Sequence, residues 1–201
     1  MSTQAPARDL TYTIARIVTE SLAPAILIAV QLVAVGWHAG ATAGTGRWWG
    51  VVAALFAAVL PFGYVVRAVR RGQLTDHHIQ LREQRHIPLA FGIGSVLTGL
   101  ILLIALGAPR DLLALLAAGG TGLAVLALIT RWWKMSIHSA VAGGTVAVLV
   151  AVYGPAMLPT APLVALVGWS RVRLTAHTPA QVITGTLVGT VIAAVVFPAL
   201  R

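Results

Sequence analysis

The 201-residue chain has no cysteine, only five acidic residues, and charge on just 9% of its positions. Each shortage excludes something. Without cysteine, neither a disulfide framework nor a thiolate metal site can form. The only aspartates are Asp9, Asp76 and Asp111, too few for the paired aspartate-rich motifs with which membrane prenyltransferases and CDP-alcohol phosphotransferases hold Mg²⁺, since hard cations need carboxylate oxygens. A soluble domain carries charge on roughly a quarter of its residues. A chain that is 58% hydrophobic, with a mean hydropathy of +0.89, therefore reads as a membrane protein.

What is present is apolar length. Residues 21–46, 48–66, 87–106, 112–130, 135–170 and 174–200 lack any Asp, Glu, Lys or Arg, and about 20 such residues cross a hydrocarbon core as a helix. Punctuation by glycine, proline and charge predicts crossings at 14–37, 48–69, 87–106, 112–131, 137–157, 161–173 and 178–199, the sixth being short. The expected fold is all-α, a polytopic bundle of six or seven spans in one domain over 1–201, with a polar N-terminal tail at 1–12. The first apolar stretch follows Asp9 and Glu20 without a basic n-region and carries no small-residue cleavage pattern after Trp37, so it is expected to be a retained helix, not a leader peptide.

The charge is one-sided. Thirteen arginines and Lys134 face five acids, for a net +9. In an apolar chain this suits anionic lipid headgroups or phosphorylated substrates; no basic strand interleaved with aromatics points to nucleic acid. Seven crossings place 70–86, 131–138 and 171–177 on one face, with Arg8, Arg16, Arg67, Arg70, Arg71, Arg82, Arg85, Arg131, Lys134, Arg171 and Arg173. The other face keeps Arg47, Arg110 and Arg201. The excess predicts a cytoplasmic orientation for the rich face.

Three clusters on that face combine groups suited to phosphate chemistry. Ser170-Arg171, five residues, then His177 precede the last apolar helix. Taken singly, Arg171 reads as a snorkelling cation and His177 as an interfacial helix-start residue; taken together, one binds phosphate and the other attacks it. Lys134-Met135-Ser136-Ile137-His138 heads another apolar helix, where unpaired N–H groups and the helix dipole favour an anion. Two membrane-embedded histidines, each beside a cation, favour function over structure. In the third cluster, 76–86, His78, Arg82 and Arg85 share one face if the segment is helical; otherwise it is a basic loop that sets topology.

These residues resemble the type 2 phosphatidic acid phosphatase family. Ser170-Arg171 with His177 is similar to its signature Ser-Arg, five residues, His. Ser136-Ile137-His138 is similar to Pro-Ser-Gly-His, and Arg85 to the arginine of Lys, six residues, Arg-Pro. His78 stands at that lysine, His86 at the proline, and Met135 and Ile137 replace Pro and Gly. Gln181 stands where the family usually has Asp, yet His177, Gln181, Val182 and Gly185 repeat the pattern of the dolichyl diphosphatase and glucose-6-phosphatase branches.

The resemblance implies a phosphatase without metal or other cofactor. His177 is implied as nucleophile, His138 as acid and then base, and Gln181 as orienter of His177. Arg171, Arg85, Arg82, Lys134, Ser136 and His78, with backbone N–H groups around Ser136 and Ile137, are the implied phosphate binders. The expected substrate is a lipid phosphate entering from the bilayer, a prenyl or polyprenyl (di)phosphate first, with phosphatidic acid or phosphatidylglycerol phosphate as alternatives. The expected location is a bacterial-type inner membrane. A catalytically dead lipid-phosphate binder and a transporter with an arginine-lined path are the rivals.

Overall fold

The computed structural model describes residues 9–44 and 48–201; Arg8 and Arg47, assigned above to opposite faces, lie outside them. Among the described residues the chain is helical throughout, without a strand. Its helices are α1 (Leu10–Ser21), α2 (Pro24–Ala43), α3 (Trp49–Arg70), α4 (His86–Ala105), α5 (Arg110–Thr130), α6 (Ile137–Tyr153), α7 (Pro162–Arg173) and α8 (Pro179–Leu200). Short 3₁₀ turns, Arg82–Arg85 and Pro155–Thr160, lead into α4 and α7.

Five helices are long and apolar enough to cross a membrane: α2, α3, α4 with its leading turn, α5 and α8. Their outward faces are apolar. On α8, Ile183, Leu187, Val191 and Val195 repeat every four residues and are each more than half exposed, a stripe that water would not tolerate and lipid solvates. The protein is therefore an integral membrane protein.

The ends of the helices alternate. At one end Arg110 Nε donates to the Leu200 carbonyl (3.2 Å) and Arg201 to Ala151 (2.7 Å). At the other lie Glu20, the 72–85 loop, Lys134 and His177. The 17-residue α6 and 12-residue α7 are shorter than the five spans, yet the chain leaves His138 along α6 and comes back to the same end at Arg171. The three basic clusters consequently share one end of the bundle.

The expected crossing at 14–37 is two helices. Pro24 cannot sit in a helix interior and biases the residue before it toward extended backbone; Ala23 is extended (φ −61°, ψ 146°) and Pro24 opens α2. This frees α1, an amphipathic helix that begins at Leu10, to pack along α7. Asp9 caps it by accepting from the Tyr12 N–H at 2.8 Å, and Arg173 grips the same carboxylate at 2.8 and 2.9 Å.

The closest helix pair is α6 with α8, and small residues make the approach possible. A Cβ on Gly189 would overlap the Ala140 backbone, one on Gly143 would meet Thr186 and Thr190, and one on Gly185 would strike the Ser136 carbonyl. Together these glycines set the starts of α6 and α8 side by side. Gly189→Ala must therefore push the helices apart, and its thermal unfolding midpoint in detergent should fall, with a cost of about 2 kcal/mol. Gly122→Ala enters open space and should leave that midpoint unchanged or slightly raised, because alanine favours helix by about 1 kcal/mol over glycine.

Candidate active site

Two helix starts meet at the site. Ser136, extended at φ −79° and ψ 110°, caps α6 by accepting the Ser139 N–H on Oγ at 3.3 Å. The next two amides, Ile137 and His138, are first-turn donors without an intrahelical partner. Thr178 caps α8 in a capping box: Thr178 Oγ1 accepts the Gln181 N–H (3.3 Å), and Gln181 Oε1 accepts the Thr178 N–H (3.2 Å). The two starts are joined by the Ser136 N–H donating to the Gln181 carbonyl at 3.2 Å.

The capping box fixes the histidine beside it. Gln181 Oε1 also lies 3.1 Å from His177 Nδ1. An oxygen already taking a backbone N–H is an acceptor, so Nδ1 carries the hydrogen and the lone pair sits on Nε2. His177 is buried, and that burial, followed by Arg85, Lys134 and Arg171, pushes its pKa down to about 3. Its ring is thus neutral, with Nε2 unprotonated, throughout the physiological range.

The cations converge from three segments. Arg171, at the end of α7, is 2% exposed, and its carbonyl accepts from both the Ala176 and His177 N–H groups at 3.0 and 3.2 Å. That tight return passes through Thr175 at φ +53°, uncommon for a β-branched residue and found where surrounding structure imposes it. Arg85, also 2% exposed, donates from Nε to the Ile79 carbonyl (2.9 Å) and from a terminal nitrogen to Met135 (3.0 Å). Lys134 Nζ donates to the Ala176 carbonyl at 2.7 Å. Burial and the neighbouring Arg85 and Arg171 push the Lys134 pKa down.

Among the described residues no carboxylate forms an ion pair with Arg85, Lys134 or Arg171. Two buried nitrogens, Arg171 Nε and His138 Nε2, have no hydrogen-bond partner. Buried cations and polar atoms without partners are costly unless a ligand satisfies them. The arrangement gathers three cations and two imidazoles, donors of the kind that would satisfy a multiply charged oxyanion.

Other expected binders stand elsewhere. The 72–81 segment is not helical, so His78, Arg82 and Arg85 do not share a helix face. The Asp76 carboxylate accepts the His78 and Gln80 N–H groups at 2.8 and 3.2 Å, turns that compete with helix, and Ile79 sits at φ +48°. Arg85 alone enters the pocket. Arg82 donates to the Arg131 carbonyl at 3.0 Å and pairs with Glu83. His78 Nε2 lies 3.1 Å from Glu20, with its ring 5.1 Å from that of His138. The Ser136 amide is taken by Gln181, which leaves Ile137 and His138 as the available backbone donors.

Sequence reasoning missed Thr19. Buried at the end of α1, it links Arg171 to Ser170: Arg171 donates to Thr19 Oγ1 (3.5 Å), Thr19 to Ser170 Oγ (3.0 Å), and Ser170 to the Val167 carbonyl (2.7 Å). Each hydroxyl has one hydrogen to give, so the last bond orders the rest. No sequence motif marks Thr19. Glu20 was missed as well, although acids are so scarce that each one invites inspection.

Residues 117–201 match the PAP2 superfamily model. The matched stretch holds Lys134, His138, Arg171, His177 and Gln181, so the resemblance to the type 2 phosphatidic acid phosphatase family is borne out over the second and third motifs; it does not reach Arg85 and does not distinguish the dolichyl diphosphatase branch. No curated protein and no solved structure matches the chain.

The tautomer of His177 can be read directly. In nitrogen-15 histidine spectra of the detergent-solubilised protein, one ring should show a protonated Nδ1 and a bare Nε2 and should not titrate between about pH 5 and 8, where an unperturbed imidazole does. That signal should disappear in His177→Asn and lose its fixed tautomer in Gln181→Leu.

Proposed function

We propose that the protein hydrolyses a phosphomonoester or diphosphate of an isoprenoid, polyprenyl or related lipid through a phosphohistidine on His177, with no metal in the transfer. The observation that carries this reading is the group of buried Arg85 and Arg171 and half-buried Lys134, unpaired by any carboxylate among the described residues, around a buried His177 whose Nδ1 is held by Gln181 Oε1.

The phosphate dianion settles against Arg85, Arg171, Lys134 and the Ile137 and His138 amides. Its negative charge offsets the cations, and His138 takes up a proton on Nε2. His177 Nε2 then forms a bond to phosphorus as the bond from phosphorus to the leaving oxygen breaks, and His138 gives that oxygen its proton. In the second step His138 takes a proton from water, the water oxygen bonds to phosphorus, and the bond to His177 breaks. Charge spreads over the equatorial oxygens in both transition states, where the fixed guanidinium groups act most strongly. Gln181 holds Nδ1–H throughout, so the imidazole stays aimed while it carries the phosphoryl group.

A polar cluster at the end of helices whose outer faces are apolar favours a substrate whose chain stays in the bilayer while its phosphate enters the bundle end. The cytoplasmic face is the proposed side. Apart from the site cations, Arg16, Arg67, Arg70, Arg71, Arg131 and Arg173 cluster there against Arg110 and Arg201 at the other end, the bias that holds loops inside.

In EDTA the purified protein should release phosphate from at least one of farnesyl diphosphate, a long polyprenyl phosphate or diphosphate, phosphatidic acid and phosphatidylglycerol phosphate. His177→Ala should lower turnover about 1,000-fold or more, as loss of a covalent nucleophile does. Release that survives the substitution would overturn the phosphohistidine route; tight phosphate binding without release would mark a catalytically dead binder. Orientation is tested separately with Gln73→Cys on the natural cysteine-free chain. The exposed thiol should resist an impermeant maleimide added outside intact cells and react in inverted vesicles.

A further inference from the structure

We propose that Glu20, His77 and His78 form a binding site for a transition-metal ion of the zinc type beside His138, clamping α1 to the 72–81 loop. This goes beyond the phosphatase reading and does not rest on it. The ion takes no part in phosphoryl transfer.

The ligand set is two imidazoles and a carboxylate, and each imidazole meets a different oxygen. His77 Nε2 lies 3.3 Å from Glu20 Oε2, and His78 Nε2 lies 3.1 Å from Glu20 Oε1. The ligand atoms of all three residues fall within 4.8 Å of one another. Around a tetrahedral zinc with bonds of about 2.1 Å, neighbouring ligand atoms stand about 3.4 Å apart, so the trio closes on an ion with small movements. Two histidines with one carboxylate leave a fourth position open, and nitrogen ligands favour zinc and its neighbours over Mg²⁺ or Ca²⁺.

The loop is built to present both rings. Adjacent residues in a strand point to opposite faces, yet the centroids of the His77 and His78 rings lie 4.1 Å apart and both Nε2 atoms reach one carboxylate. The Asp76 carboxylate holds the backbone on either side of Ile79, whose φ of +48° turns the chain. Arg85 fastens the same turn by donating to the Ile79 carbonyl. Glu20 comes from the far end of α1, 57 residues away in sequence. Its side chain and that of His77 are nearly half exposed, 49% and 42%, so an ion arriving from solvent can reach them. His78 carries the site inward, its ring 5.1 Å from that of His138.

The test uses full-length protein in detergent, free of any polyhistidine tag and stripped with chelator. Zn²⁺ titrated by calorimetry should bind one ion per chain with a Kd of about 1 μM or tighter. At about 100 times that Kd it should raise the unfolding midpoint by about 5 °C or more. Glu20→Gln and His77→Ala, both at exposed positions, should each weaken binding at least about tenfold and abolish the shift, while Mg²⁺ should produce neither effect. His177→Ala should bind Zn²⁺ as the natural chain does. Absence of binding, binding unchanged in both Glu20→Gln and His77→Ala, or binding lost in His177→Ala alone would overturn the site. The last pattern would place the ion on the catalytic histidine. None of these readouts depends on phosphatase activity.

Discussion

The bond from the Ser136 N–H to the Gln181 carbonyl, 3.2 Å long, is the join on which the rest of the site depends. It holds two helix starts in register, so that His138, second in α6, and His177, two residues before α8, face one pocket. The join exists because Gly185 lies under the Ser136 carbonyl and Gly189 under the Ala140 backbone. In a bilayer the packing of small residues replaces the hydrophobic drive that assembles soluble cores. The glycines of α6 and α8 are therefore as much part of the site as the residues that touch phosphate, although none reaches it.

That geometry gathers positive charge where a low dielectric makes it expensive. Two guanidinium groups that are 2% exposed, with an ammonium close by, repel one another strongly in such surroundings. Among the described residues no carboxylate forms an ion pair with them, and Asp76 and Glu20 act on them only from a greater distance. Backbone carbonyls do part of the work: Ile79 and Met135 accept from Arg85, and Ala176 from Lys134. A carbonyl carries a dipole without net charge, so it orients a cation without neutralising it. A carboxylate would stabilise the empty pocket better and compete with phosphate for the same donors. The arrangement leaves the cations' charge unneutralised, at a cost in stability that the rest of the bundle offsets.

How much of this was legible in the sequence follows from the range of each interaction. Apolar stretches and proline or glycine punctuation are local, and they located the helices to within a few residues, except where Pro24 divided the first. The His177 and Gln181 spacing was also legible, because the capping box spans one helical turn. Arg85 could be assigned only by resemblance, and the helical face proposed for His78, Arg82 and Arg85 failed for a local reason: the Asp76 side chain diverts the backbone into turns. Thr19 and Glu20 were illegible because their partners lie 151 and 58 residues away, and the fold alone brings them together.

The first helix shows what that long-range geometry adds. Asp9 holds one end of α1 to Arg173, and Thr19 ties the other to Ser170 and Arg171, so the helix spans the last turns of α7 like a splint. The turns it braces carry the buried guanidinium of Arg171, and the carbonyl of that same residue fixes the amide of His177 through a strained return at Thr175. Any motion of α1 away from α7 loosens both the cation and the nucleophile. The amphipathic face of α1 keeps it at the end of the bundle, where Leu10, Ile14 and Ile17 remain exposed, a placement suited to the boundary between headgroup and acyl chain. Through Thr19 that helix reaches the Arg171 guanidinium by a single hydrogen bond, so the placement of α1 and that of the buried arginine are set together.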